Sequence, residues 1–465
     1  MSFTYGLAVV LVIFEGIIIQ CEGGSAFSSN RIQNAPLLPN DVIELILSKT
    51  DFRTVHNTIR EKIIRTTDIA MSGILQSHII LISPREFLGE IDEYYIDGDS
   101  FLSIGHYEKL LKFFERFGDQ VRKIAICYSS SDEHVPHKEI NENIIKKYAN
   151  NLEELRIVTQ NDGGFWEEIS DGENDIIFPK VKKLQMRSDS RRNKFKLNSI
   201  FPKLESLKLY GDVVNGNCLE NVKGLKELML HSGWEQEHQL DDIFANNKNM
   251  TMFSIRGPKR TGTMHSIAQH LTNLKTFEVR YPSAIFLSRA NNNPVYKLSS
   301  VNHFIVVFGQ MDEVFRIEDL SFDMPHLKRL TLNGYPADDR FINFINYFKE
   351  LEAVELFLIG YEAIKCIEQL KDIKEFTINS FHNEFDFLKN MFKNFDKKSK
   401  LQTLKFVFFR ESLYQKYEED MKEINIHLEN SMKPTWTLAR EERIGIRQNY
   451  LVFRREPCTC DSCKK

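Results

Sequence analysis

Along most of the chain the apolar positions fall into one recurring hexapeptide, apolar-x-x-apolar-x-apolar. It reads VRKIAI from Val121, LEELRI from Leu152, VKKLQM from Val181, LESLKL from Leu204, LKELML from Leu225 and MTMFSI from Met250. LKTFEV from Leu274, VNHFIV from Val301, LKRLTL from Leu327, LEAVEL from Leu351, IKEFTI from Ile373 and LQTLKF from Leu401 complete the series. The twelve copies begin 21 to 31 residues apart, and their starts span 280 residues over eleven intervals, a mean of about 25. The last four residues of each copy alternate polar and apolar, as an extended strand requires to send alternate side chains to opposite faces. The apolar pair points inward, and the first apolar residue tucks in where the chain enters the strand. Between copies the period changes. "NENIIKKYANN", "MHSIAQHLTN", "DRFINFINYFKE" and "YEAIKCIEQLKD" place apolar residues three and four apart, which predicts helices with one buried face. Strand plus helix, stacked about twelve times, is an α/β solenoid with its strands parallel.

One such hexapeptide carries no information, since amphipathic helices produce it by chance. Twelve in register, each preceded by a helical or turn segment, do. The spacing falls within the range of leucine-rich repeats, and the pattern resembles them. The fold expected over residues 121–408 is a leucine-rich-repeat horseshoe of about 12 repeats, and residues 83–120 read as a linker or first irregular repeat. After Val407 the pattern changes: "ESLYQKYEEDMKEINIHLENSM" reads as a charged helix, and "TWTLAREERIGIRQNYLVFRR" as a pair of strands around a polar turn. Residues 409–465 are therefore expected to cover the open end of the last repeat.

Ahead of the repeats the chain reads "LLPNDVIELILSKTDFRTVHNTIREKIIRTTDIAMSGILQSHIILIS" from Leu37. Pro39-Asn40-Asp41 is a helix start with the acid near the positive end of the helix dipole. Two further short helices are expected near residues 55–64 and 69–75. Three short helices before a leucine-rich solenoid resemble an F-box, on Leu38, Pro39, Val42, Ile43, Ile46 and Leu47, with Asp51 and Phe52 opening the next helix. The family's Val-Cys-x-x-Trp stretch is absent, and "REKIIRTTD" occupies the comparable place. The resemblance implies that residues 37–82 dock on a Skp-type adaptor of a cullin ubiquitin ligase through an apolar helical face. Its repeats would then hold the protein to be ubiquitinated. The other reading of residues 37–82 is a plain helical cap on the first strand.

Composition changes this picture in three ways. A balance of 61 Lys+Arg against 65 Asp+Glu gives a net charge of −4, which argues against a nucleic-acid partner. Residues 7–19 are apolar but too short for a comfortable membrane span and carry Glu15. Small residues follow at Gly23, Gly24, Ser25 and Ala26, so residues 1–26 read as a secretion signal, or alternatively as an amphipathic N-terminal helix. Seven cysteines include no framework: Cys458, Cys460 and Cys463 crowd the tail without a fourth zinc ligand, and residues 37–123 contain none. A single glycosylation acceptor occurs, Asn249-Met250-Thr251. An export signal joined to a cysteine-free amino cap suits secretion followed by action in another cell's cytosol. The combination resembles the secreted salivary F-box/leucine-rich-repeat effectors of plant-feeding gall midges, which implies capture of the host's ubiquitin machinery.

No catalytic constellation is present: there is no Walker loop, HExxH or GxSxG, and His134 and His137 in "DEHVPH" read as a polar surface loop. No enzyme, cofactor, metal or membrane role is expected. Binding is expected instead on the concave face, to which positions three, five and seven of each copy point. Position seven supplies Arg187, Tyr210, His231, Arg256 and Arg280 in five consecutive repeats, with Lys183 and Lys208 beside them. Parallel strands lie about 4.8 Å apart, so these residues form one ladder. Such a ladder either faces a partner bearing carboxylates or phosphates, or is neutralised by Glu154, Glu227 and Glu278. Three functions stay open: a secreted ubiquitin-ligase adaptor, an extracellular leucine-rich binding protein, and an ordinary intracellular F-box adaptor.

Overall fold

Each of the twelve hexapeptides folds as a strand in one parallel sheet. The computed structural model describes residues 75, 79–82, 101–104, 107–128, 137–159, 176–187, 196–210, 216–231, 240–258, 262–282, 295–308, 322–333, 343, 345–357, 373–379, 401–408, 436–442 and 449–455. Before the repeats come β1 (Ile79–Ile82) and β2 (Phe101–Ile104). The repeats supply β3 (Lys123–Tyr128), β4 (Glu154–Thr159), β5 (Lys183–Arg187), β6 (Ser206–Tyr210), β7 (Glu227–His231), β8 (Met252–Arg256) and β9 (Thr276–Arg280). After a two-residue strand β10 (Tyr296–Lys297) come β11 (His303–Val307), a two-residue β12 (Phe322–Asp323), β13 (Arg329–Asn333), β14 (Ala353–Phe357), β15 (Glu375–Asn379) and β16 (Thr403–Phe408). The chain closes with β17 (Trp436–Glu442) and β18 (Asn449–Arg455).

Among the described residues the main sheet has 16 strands, in the order β17-β18-β16-β15-β14-β13-β11-β9-β8-β7-β6-β5-β4-β3-β1-β2. From β3 to β16 the strand order follows the sequence, and equivalent positions of neighbouring copies pair, as Leu155 with Leu184 and Phe253 with Phe277. This is a parallel-strand solenoid of stacked turns.

The reason lies in the interior. Positions one and four of every copy are buried, from Val121 and Ile124 to Leu401 and Leu404, and none is more than 8% exposed. Position six is buried with them in each copy from Ile126 to Ile378. Phenylalanines at position four stack through the middle: Phe253 on Phe277 with ring centroids 6.2 Å apart, and Phe277 on Phe304 at 5.6 Å. The backbone repeats too. The carbonyl at position two accepts N–H groups from positions two and three of the next copy, as Arg122 does from Glu153 and Glu154 and Lys374 from Gln402 and Thr403. Where the residues before a copy are described, a turn commonly delivers the chain into the strand, closed by bonds such as Leu274 N to Leu271 O (3.1 Å) and Leu327 N to Met324 O (3.2 Å). At Leu225 the turn differs. Its N–H donates to Asn247 Oδ1 (2.8 Å), and the Asn247 amide donates to Val222 O and Ile243 O, so one buried side chain ties two turns together.

The return segments depart from the expected uniform helices. Helices do form at Tyr107–Phe117, Leu240–Asn246 and Gly262–His270, and helical turns cover residues 137–151, including a π turn at Asn141–Lys146. Between β5 and β6 the described helix is four residues long (Leu197–Ile200), and between β6 and β7 a 3₁₀ turn (Gly216–Leu219) replaces it. Near residues 296 and 323 the returns pair as β10 and β12 instead. The physical reason is length. A helix rises about 1.5 Å per residue against about 3.3 Å for a strand, so a 21-residue spacing such as Leu204 to Leu225 leaves too few residues to run back as a full helix. Of the helix expected over 339–350, residues 343 and 345–347 are helical; the one expected over 361–372 lies outside the described residues.

The amino end also differs from the sequence reading. Ile79–Ile82, inside the segment assigned to the helical F-box-like region, is a strand pairing with both β2 and β3. Of the two readings of residues 83–120, the strand at Phe101–Ile104 and the amphipathic helix at Tyr107–Phe117 agree with a first irregular repeat rather than a linker. That helix buries Leu110 and Phe114, and Tyr148 OH donates to Phe114 O at 2.7 Å. At the other end β17 and β18 form the expected strand pair and dock antiparallel on β16. The same sheet therefore runs through the boundaries placed at 82, 120 and 408.

Because each turn buries its apolar residues only against its neighbours, a cavity in one turn weakens both of its interfaces. Phe277→Ala should cost about 3–5 kcal/mol in chemical denaturation; a loss under about 1 kcal/mol would show that the spine does not hold adjacent turns together.

Candidate functional site

The face opposite the core carries positions three, five and seven. The register places Arg187 beside Val158 and Tyr210, Tyr210 beside His231, and Arg256 beside Arg280. Leu230 pairs with Ile255, so His231 and Arg256 follow at the same level. The column read from the sequence is thus continuous along the sheet. Lys183 sits exposed at position three of the copy that forms β5, and Lys208 half-buried at position five of the copy that forms β6.

Its chemistry is not that of a uniform basic ladder. His231 is 6% exposed, with its Nε2 2.9 Å from Ser254 Oγ and its ring edge-on to Tyr210 at 5.1 Å. Burial, with Arg280, Arg256 and Lys208 nearby, pushes its pKa down to about 3, so it is a neutral ring at pH 7. Tyr210 is buried as well, its hydroxyl 3.5 Å from Met229 Sδ. Two members expected to meet a partner therefore serve as packed floor.

Arg280 is paired within the protein. Its Nε donates to Glu278 Oε1 at 2.6 Å, and the Glu278 side chain is 4% exposed. The neighbouring carboxylate thus offsets this arginine, as the neutralised reading of the ladder requires. A buried carboxylate without its arginine would be an uncompensated charge. Reversing Arg280 would therefore disturb the fold, and Arg256, which is exposed, is the cleaner probe. Arg256 lies over the ring of Tyr281, with its guanidinium carbon 4.9 Å from the centroid. Glu154 likewise binds Arg156 (2.6 Å) on β4, and Glu227 accepts from Ser206 Oγ (2.8 Å).

Further along, His303 lies 3.1 Å from Thr331 Oγ1, which donates to Glu355 at 3.3 Å. Burial and Arg329 push the His303 pKa down to about 4. Besides Glu278, position five buries Arg156, Gln185, Ser254 and Thr331, which the sequence reading did not single out. Side chains of adjacent strands cover these outward polar residues, as His231 does Ser254 and His303 does Thr331, and the local pattern carries no sign of it. Tyr281 was also missed. The signal for it was present: two successive copies end Arg-Gly-Pro (256–258) and Arg-Tyr-Pro (280–282).

The remaining candidates are quickly placed. Leu38, Pro39, Val42, Ile43, Ile46 and Leu47 lie outside the described residues, as do residues 1–26 and His134. Cys218 is buried with its thiol pushed up to about 12, an inert position. Among the described residues no three His, Cys, Asp or Glu side chains converge as metal ligands, and no helix is long and apolar enough to cross a membrane.

His231 and His303 bind protons less readily in the folded chain than at an ordinary histidine pKa of about 6.5. Their stabilisation is complete above that value and is lost as pH falls through about 6.5 towards 4, because the unfolded chain takes up the proton first. Denaturation of wild type and His231→Gln from pH 7 to pH 4 should show a shallower loss in the variant; equal slopes would place His231 in contact with water.

A comparison with known protein families finds none that matches this sequence, and a search of curated proteins finds no match either.

Proposed function

We propose that this chain is a secreted adaptor: a leucine-rich-repeat horseshoe that holds a target protein on its concave sheet face. In this reading residues 37–82 dock as an F-box on a Skp-type adaptor of a host cullin ubiquitin ligase. The observation that carries the binding half is the register. Twelve repeat strands present positions three, five and seven in columns, so one continuous surface is available to a macromolecule and no cleft for a small substrate is needed. Lys183, Lys208 and Arg256, beside the Glu278-paired Arg280, make that surface locally basic within a chain of net charge −4, which favours an acidic partner. The docking half rests on the residues that resemble an F-box, Leu38, Pro39, Val42, Ile43, Ile46 and Leu47, and the secretion half on residues 1–26.

The test is recovery from plant cell extract by the mature chain. A Skp-type adaptor should co-purify, and Ile43→Asp with Ile46→Asp should remove it, since a charge on an apolar docking helix costs most of the contact. Target capture should fall separately with Lys183→Glu and Arg256→Glu, both exposed side chains whose reversal leaves the core intact. Absence of the Skp-type adaptor would favour an extracellular binding protein in which residues 37–82 act as a cap. An amino terminus still beginning at Met1 would leave an intracellular adaptor.

A further inference from the structure

The repeats that contribute β8 and β9 leave the sheet in the same way. Arg256 and Arg280 end their strands side by side, and the next residue turns left-handed: Gly257 at φ 62° and Tyr281 at φ 50°. Gly257 N donates to Arg280 O (2.7 Å) and Tyr281 N to Val307 O (2.6 Å), and a buried proline follows each. At Gly257 the conformation is natural. At Tyr281 it is not, because a side chain in the left-handed region crowds the following carbonyl. Tyr281 remains 41% exposed, so core packing does not account for the conformation. What it does contribute is a flat surface under the Arg256 guanidinium, 4.9 Å from its centroid.

We infer that Arg256, Arg280 and Tyr281 form a receptor for a carboxylate side chain of an acidic segment in the partner protein. This deepens the proposed partner-binding role of the sheet face and rests on it. A guanidinium stacked on an aromatic ring keeps its N–H edges directed outward in one plane, the arrangement that accepts a carboxylate through two parallel hydrogen bonds. Arg280 stands on the adjacent strand, about 4.8 Å away, and Glu278 fixes it through Nε. The charges decide the ligand class. Arg256 and Lys208 keep this part of the face positive, while the Glu278 carboxylate already engages Arg280 Nε and would repel a phosphate dianion more than a single carboxylate. Neutral His231 and Ser254 border the pair without adding charge.

Fluorescence anisotropy of the full mature chain with a labelled peptide of alternating glutamate and glycine tests this, alongside glutamine and phosphoserine versions of the same peptide. The glutamate peptide should bind, and Tyr281→Gly and Arg256→Gln should each weaken it about tenfold. Tyr281→Gly should leave the melting temperature unchanged or raise it, because glycine relieves the left-handed strain. A lower melting temperature would make Tyr281 a structural residue and overturn the assignment. Equal binding of the glutamate and glutamine peptides, or tighter binding of phosphoserine, would overturn the carboxylate. If the Skp-type adaptor and target still co-purify while the glutamate peptide fails, this inference alone falls; if the peptide binds and the adaptor does not, the ubiquitin-ligase reading falls instead.

Discussion

The structure depends on register between turns that cannot stand alone. One repeat offers three apolar side chains, at positions one, four and six, and these are buried only when the next repeat lies against them. The paired acceptance at each position-two carbonyl holds neighbours at a fixed offset. A slip by one residue would turn positions four and six outward and bring three, five and seven inward. Stacked phenylalanines from Phe253 to Phe304 add shape to this requirement, because flat rings at successive levels leave no room for a shifted neighbour. Asn247 does the same with hydrogen bonds, filling a turn that belongs to the preceding repeat.

Fixing the interior also fixes the opposite face, including places where that is costly. Glu278, Arg156, Ser254 and Thr331 are buried there, and each has a polar partner on its own or an adjacent strand. Pairing is what makes these positions tolerable, since an unpaired buried charge or hydroxyl would oppose folding. It also sorts the column of candidate contacts. Tyr210 and His231 become floor, Arg280 is clamped by Glu278, and Arg256 stays exposed on Tyr281. Local charge on this surface is set as much by neutral histidine and paired arginine as by the count of basic residues.

A parallel sheet of this kind has two edges, and the chain finishes them differently. At one end β2 lies outside β1, so the chain passes over an occupied position before β3 joins. At the other a β-hairpin adds antiparallel strands to β16. Both arrangements extend the stack beyond the twelve repeats and move the open edge away from the repeat core.

The twelve strands, their order and the residues facing the core were legible in the amino-acid sequence, because alternation along a strand and spacing between copies are local properties. Continuity of Arg187, Tyr210, His231, Arg256 and Arg280 followed from the same spacing. Burial of His231, the Glu278–Arg280 pair and the left-handed turn at Tyr281 were decided by tertiary structure. The burial of His231 and the turn at Tyr281 depend on strands contributed by other repeats, and although Glu278 and Arg280 share β9, no local pattern states how deeply the neighbouring strands cover them. The short 3₁₀ return near Gly216, the strand at Ile79–Ile82 and the double tie at Asn247 belong to the same class. They answer to the length of chain available and the partner within reach, quantities that exist only once the turns are stacked.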